Sequence, residues 1–116
     1  MIQATFFADG NGELRGFLVE GHSGYAPAGE DIICAGVSAL VQTASAGLKR
    51  FLPVAPRIDD RTKGLGDVSV KLMLPENLAD EEKATARVIL ETMELGMRGI
   101  AAGYGKYVEV RRCSNK

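Results

Sequence analysis

Residues 2–21 read Ile2-Gln3-Ala4-Thr5-Phe6-Phe7-Ala8-Asp9-Gly10-Asn11-Gly12-Glu13-Leu14-Arg15-Gly16-Phe17-Leu18-Val19-Glu20-Gly21. Ile2, Ala4 and Phe6 recur at every second position, the period of a strand with one apolar face. Asp9-Gly10 and Asn11-Gly12 follow, and both are dipeptides suited to the positive φ values of tight hairpin turns. Leu14 to Gly21 alternates again, with Phe17 and Val19 on one face. The stretch therefore predicts a β-hairpin, and its apolar face needs a cover.

Two helical patterns supply that cover. From Asp31 onward, Ile33, Val37, Leu40, Val41, Ala44, Leu48, Phe51 and Leu52 fall on one stripe of a helix. Asp31 suits the N-cap, because its carboxylate can accept an orphan amide of the first turn. Lys49 and Arg50 favour the last turn, and Pro53 and Pro56 stop the helix. Ile58 opens a short strand, Lys63-Gly64-Leu65-Gly66-Asp67 reads as a turn, and Val68, Val70, Leu72 and Leu74 alternate up to Pro75. Asp80-Glu81-Glu82 starts a second helix with the stripe Ala86, Ile89, Leu90, Met93, Met97, Ile100 and Ala101. Gly103 and Gly105 close it, and Lys106 to Arg112 forms a last strand. The order is ββαββαβ, an α+β arrangement with two helices on a largely antiparallel sheet. No repeat or linker divides the chain, so residues 1–116 are expected to form a single domain.

The chain has 116 residues and a net charge of −1, from 14 Lys+Arg against 15 Asp+Glu. Its 46% hydrophobic and 25% charged residues are a globular mixture, which excludes a disordered chain. No uninterrupted apolar run approaches bilayer length, so no membrane association is expected. The N-terminal residues lack the basic region and cleavage site of a signal peptide. Near-neutral charge argues against binding through phosphate contacts, and direct DNA binding is not expected. Two cysteines, Cys34 and Cys113, without export signals read as reduced thiols of a cytoplasmic protein. With His22 they give three potential soft ligands, too few for an intrachain structural zinc site. Neither metal nor cofactor is expected.

Chemistry has few places to reside. His22 ends the second strand and Cys34 falls in the first turn of the long helix, joined by the loop Ser23-Gly24-Tyr25-Ala26-Pro27-Ala28-Gly29-Glu30. A thiolate is the nucleophilic form of cysteine, and a helix N-terminus together with an imidazolium lowers a thiol pKa. His22 can take the thiol proton and return it to a leaving amine, while first-turn amides receive an oxyanion. The same placement also suits a small buried hydrophobe and an ordinary strand-end histidine. Asp31 serves either as a plain cap or as the group that orients His22. Ser38, one turn beyond Cys34, reads either as a site hydroxyl or as a helix serine bonded to its own backbone. Cys113 reads as a loosely held tail thiol, Met93 and Met97 as core, and Lys63 as solvated surface.

Residues 21–38, Gly21-His22-Ser23-Gly24-Tyr25-Ala26-Pro27-Ala28-Gly29-Glu30-Asp31-Ile32-Ile33-Cys34-Ala35-Gly36-Val37-Ser38, resemble the signature of the ribosomal-processing cysteine protease family, Prp. That signature is Gly-His, a Gly-containing loop, then Gly-x-Asp-Ile-x-Cys-Ala opening a helix with a Ser one turn on. The likeness extends over essentially the whole chain. It implies an endopeptidase that removes a short N-terminal extension from large-subunit ribosomal protein L-twenty-seven, so the partner is that precursor's N-terminal peptide. By position it makes His22 the general base and Cys34 the nucleophile, with Asp31 and Ser38 in support. It also implies a homodimer, an apolar groove near the site, and a substrate loop that includes Gly21, Ser23, Gly24, Tyr25 and Gly29. Tyr25 either touches substrate or shields the core. Ser23 and Gly36 stand where alanine is common in the family. The competing readings are a non-catalytic ribosome-assembly factor that binds the same precursor or rRNA, and a redox-sensing thiol.

Overall fold

A computed structural model describes residues 1–27 and 30–114. Its first two strands, β1 (Ile2–Ala8) and β2 (Leu14–Gly21), form the expected hairpin. Asp9 ties the turn: its Oδ1 accepts from the amides of Asn11 at 2.8 Å and Glu13 at 3.1 Å. Its carbonyl accepts from the Gly12 amide at 3.0 Å, and Gly12 takes the positive φ of +79° that the turn requires. The register slips by one residue between Phe7 and Ala8, so the two strands end in a bulge.

Helix α1 spans Ile32–Phe51, β3 is Arg57–Asp60 and β4 is Val68–Met73. Helix α2 spans Asp80–Gly103 and β5 is Val108–Ser114. The strands make one sheet in the order β3-β4-β2-β1-β5. Every pairing is antiparallel except β1 with β5, which run parallel and put Ile2 opposite Val108. The β5 strand starts two residues later than the sequence pattern predicts and runs to Ser114. Cys113 is therefore an exposed strand residue, not part of a loose tail.

Both helices pack on one face of this sheet. Phe6 and Phe17 are fully buried there with ring centroids 6.2 Å apart. Each ring contributes roughly 1.5–3 kcal/mol by leaving water. From α1 the core takes Ile33, Cys34, Val37, Val41, Ala44 and Leu48, and from α2 Ala86, Leu90, Met93 and Met97. The predicted stripe is not buried throughout: Leu48 and Leu52 are buried, but Phe51 is 65% exposed and borders a hollow between α1 and α2. Helix α1 is, contrary to the run-length argument, long and apolar enough to cross a membrane by length and composition alone, with a hydropathy of 1.3. Its Ile, Val, Leu and Cys residues raise that mean although Ser, Gln and Thr interrupt the apolar run, and its buried stripe lies on the sheet.

One buried charge escaped the sequence patterns. Glu94, on α2, accepts from Arg112 Nη2 at 2.7 Å and Nε at 2.9 Å, and from Arg98 Nη2 at 3.1 Å. The Arg112 bonds, then those of Arg98, outweigh burial and hold the Glu94 carboxyl below its ordinary value. This fork fastens β5 to α2.

Candidate active site

The site begins where β2 leaves the sheet. Gly21 has φ +116°, and a Cβ there would run into the Met1 carbonyl oxygen, so this exit needs glycine. His22 follows immediately and is exposed. Among the described residues, no side-chain hydrogen bond links it to Cys34 or Asp31. Ser23 turns inward and is buried; its hydroxyl donates to Asp31 Oδ2 and accepts the Tyr25 amide at 3.1 Å.

Asp31 is the N-cap of α1, with φ −84° and ψ 97°, and its Oδ1 accepts the Cys34 amide at 2.9 Å. Both carboxylate oxygens are thus engaged, one by the segment after His22 and the other by the turn that holds Cys34. Burial alone would push the Asp31 pKa up. Hydrogen bonds from the Ser23 hydroxyl and the amides of Cys34, Ile33 and Ala26 outweigh it and hold the carboxyl below its ordinary value. Of the two roles open to Asp31, the cap is the one observed. It joins the two segments through the Ser23 hydroxyl and the Cys34 amide, and among the described residues it does not bond the imidazole. It also takes up the Ile33 and Cys34 amides, which narrows the set of first-turn donors left for an oxyanion.

Cys34 is 5% exposed and sits in the first turn of α1. The thiol does not have the lowered pKa that a helix N-terminus suggests. Burial pushes it up, the charges of Asp31 and Asp67 push it further, and the Ser38 hydroxyl one turn on pulls it partly back. The surroundings of the sulfur therefore disfavour the thiolate.

A cleft of about 570 Å³ opens beside this sulfur, between α1 and the β3–β4 turn. Cys34, Ser38 and Gln42 line one wall, and Thr62, Leu65 and Asp67 line the other. Ser38, Gln42 and Thr62 also border a second hollow of about 320 Å³, which follows α1 to Lys49 and is floored by Val68 and Val70. The two hollows together make a groove running from the thiol along the helix.

Tyr25 packs edge-on against Tyr107, with centroids 5.3 Å apart, and against Tyr104 at 5.9 Å. Its ring is thus seated on the turn between α2 and β5. Gly24 has φ +71°, and Gly29 lies outside the described residues. The sequence treated residues 63–67 only as a turn. Their place beside Cys34 depends on β4 pairing with β2, which no local period encodes.

The profile of the family described as Cysteine protease Prp matches residues 1–109. The ribosomal processing cysteine protease Prp of Bacillus subtilis is 29% identical over 104 residues, covering 90% of each chain. Among solved structures, SMU.848 from Streptococcus mutans has a TM-score of 0.80 at 24% identity, covering 99% of this chain and 96% of that one. The essential ribosomal processing protease Prp of S. aureus, in complex with a covalently linked product peptide, has a TM-score of 0.78 at 22% identity. That match covers 97% of this chain and 100% of the S. aureus chain. The structural likenesses establish the fold, and the profile match establishes the family: the chain belongs to the cysteine protease Prp family.

Proposed function

We propose that this cysteine protease removes the short N-terminal extension of large-subunit ribosomal protein L-twenty-seven, with Cys34 as nucleophile and His22 as general base. The observation that carries this reading is that Cys34, in the first turn of α1, lines a cleft of about 570 Å³. Cys34 Sγ attacks the scissile carbonyl carbon as its proton passes to the His22 imidazole. The carbonyl π electrons move onto oxygen to give a tetrahedral oxyanion. Collapse breaks the C–N bond, and the imidazolium proton leaves with the amine. Water then adds to the thioester with His22 taking its proton, and the C–S bond breaks to release a carboxylate and regenerate the thiol. Because burial and the nearby carboxylates disfavour the thiolate, His22 comes within reach of the thiol when peptide binds.

The reading includes action in the cytoplasm, where Cys34 and Cys113 stay reduced, and a homodimer. Support for the dimer comes from an apolar hollow of about 270 Å³ between α1 and α2, lined by Leu40, Phe51, Val88 and Met93. Sedimentation of the wild type against Phe51→Glu checks it, with a monomer expected for the variant alone.

The test of function is mass spectrometry of the precursor N-terminal peptide after incubation with wild type and with Cys34→Ala. A single cut made by the wild type alone is expected. A peptide bound by both proteins but cut by neither would favour the assembly-factor reading.

A further inference from the structure

We propose that Asp67, and not Asp31, is the carboxylate that positions the His22 imidazole; this rests on the His22–Cys34 reading above. Asp31 has both oxygens engaged by Ser23 and the Cys34 amide. Asp67 is differently placed. The last cross-strand pair of β2 with β4 is Gly21 with Val68, so His22 and Asp67 are the next residues on either side of the same sheet end. Asp67 also lines two hollows at once. One is the cleft beside Cys34, and the other, of about 430 Å³, is bordered by Gly21, Arg61 and Lys63. It thus borders both the cleft of the thiol and the hollow at the strand end that leads into His22.

The turn holds this carboxylate in place. Gly66 adopts φ +82°, the Asp67 amide donates to the Gly64 carbonyl at 3.3 Å, and Asp67 Oδ2 accepts the Lys63 amide at 3.1 Å. Oδ1 accepts no hydrogen bond among the described residues. The charge already reaches Cys34, where it opposes formation of the thiolate. Once the thiol proton passes to His22, the same charge faces an imidazolium and stabilises it. A hydrogen bond from one ring nitrogen to Oδ1 fixes the tautomer, leaving the other nitrogen for the sulfur and then for the leaving amine. Asp67 itself takes no proton. It is a positioning residue.

The test compares Asp67→Asn, Asp67→Glu and the parent protein, all in a Cys113→Ser background. Asn keeps an oxygen for the Lys63 amide and removes only the charge. Two rates are measured: hydrolysis of the precursor peptide, and alkylation of Cys34 by iodoacetamide in the absence of peptide. For Asp67→Asn, kcat is expected to fall at least about a hundredfold with KM little changed. Alkylation is expected to become faster, because a charge that opposes the thiolate has gone. Asp67→Glu should recover part of kcat. Unchanged hydrolysis overturns the proposal. So does alkylation that slows in step with hydrolysis, which would make Asp67 a purely structural part of the turn. A parent protein that alkylates but never cuts the peptide overturns the underlying protease reading, and the parent lane alone identifies that failure.

Discussion

Helix α1 starts on Asp31, whose carboxylate is fully engaged by Ser23 and the first-turn amides, and its first turn contains no acidic residue. Helix α2 starts on Ala79, which has no side-chain acceptor, and its first turn carries Asp80, Glu81 and Glu82. There the Ala79 amide donates to Glu82 Oε1 at 2.8 Å, all in exposed surroundings. The second start is an ordinary stabilising device, since carboxylates near the positive end of a helix dipole support the helix wherever it lies. The first concentrates its support in one buried residue. That residue closes the loop between His22 and Cys34, and it leaves room beside the thiol.

The strongest way to break the comparison is Asp31→Ala, which removes the cap and leaves the buried Ser23 hydroxyl without its acceptor. A loss of about 3 kcal/mol is expected from those two effects together, read as a fall in the urea midpoint, with peptide hydrolysis lost alongside. Acid offers a second route. Asp31 has a folded pKa below its ordinary 3.8, so its contribution is complete above that value and is lost as pH falls through the lower folded value. Glu94 behaves alike below its ordinary 4.5. Urea midpoints measured at pH 5 and pH 3 should therefore converge in Asp31→Asn relative to the wild type, since the variant has lost one of the carboxylates whose folded pKa is lowered, Asp60 being a third.

At α2 the effect is smaller. Glu82→Ala should cost about 0.5–1 kcal/mol and leave peptide hydrolysis unchanged. A cost equal to that at Asp31 would erase the distinction between the two starts. The smallest change is a gain. A Cβ at Gly36 meets only Ile100 Cδ1, at 3.5 Å, which is ordinary contact. Gly36→Ala should therefore stabilise the protein by about 0.5–1 kcal/mol, seen as a higher melting temperature.

What the sequence reveals follows the range of the interactions involved. The hairpin, the Asp31 cap and both buried helix stripes depend on neighbours within a few residues, and all are legible. Phe51 keeps the helical period yet is exposed beside a buried Leu52, and only the tertiary arrangement determines that. Glu94 reads as one more charge on α2 until β5 brings Arg112 to it from 18 residues away. Leu65 and Asp67 belong to the cleft only because β4 lies beside β2, a strand order without local signature. His22 and Cys34 stand out from their local placement, at a strand end and in a first helical turn, and the family resemblance strengthens that reading by a motif. The rise in the Cys34 pKa is only partly local: Asp31 lies three residues before the thiol, but burial and the charge of Asp67, 33 positions further along the chain, depend on the tertiary fold.

The parallel pairing of β1 with β5 also matters for how the protein comes to be made. The hairpin can form as soon as β2 exists, but the outer edge of β1 has no partner until the last strand arrives. Until then Ile2, Ala4 and Phe6 lie on a strand with a bare row of amides and carbonyls, a template for pairing with another nascent chain. Glu94 and Arg112 are thus a late clasp: they fasten the strand that ends this exposure, and a lesion there should first appear as aggregation during synthesis.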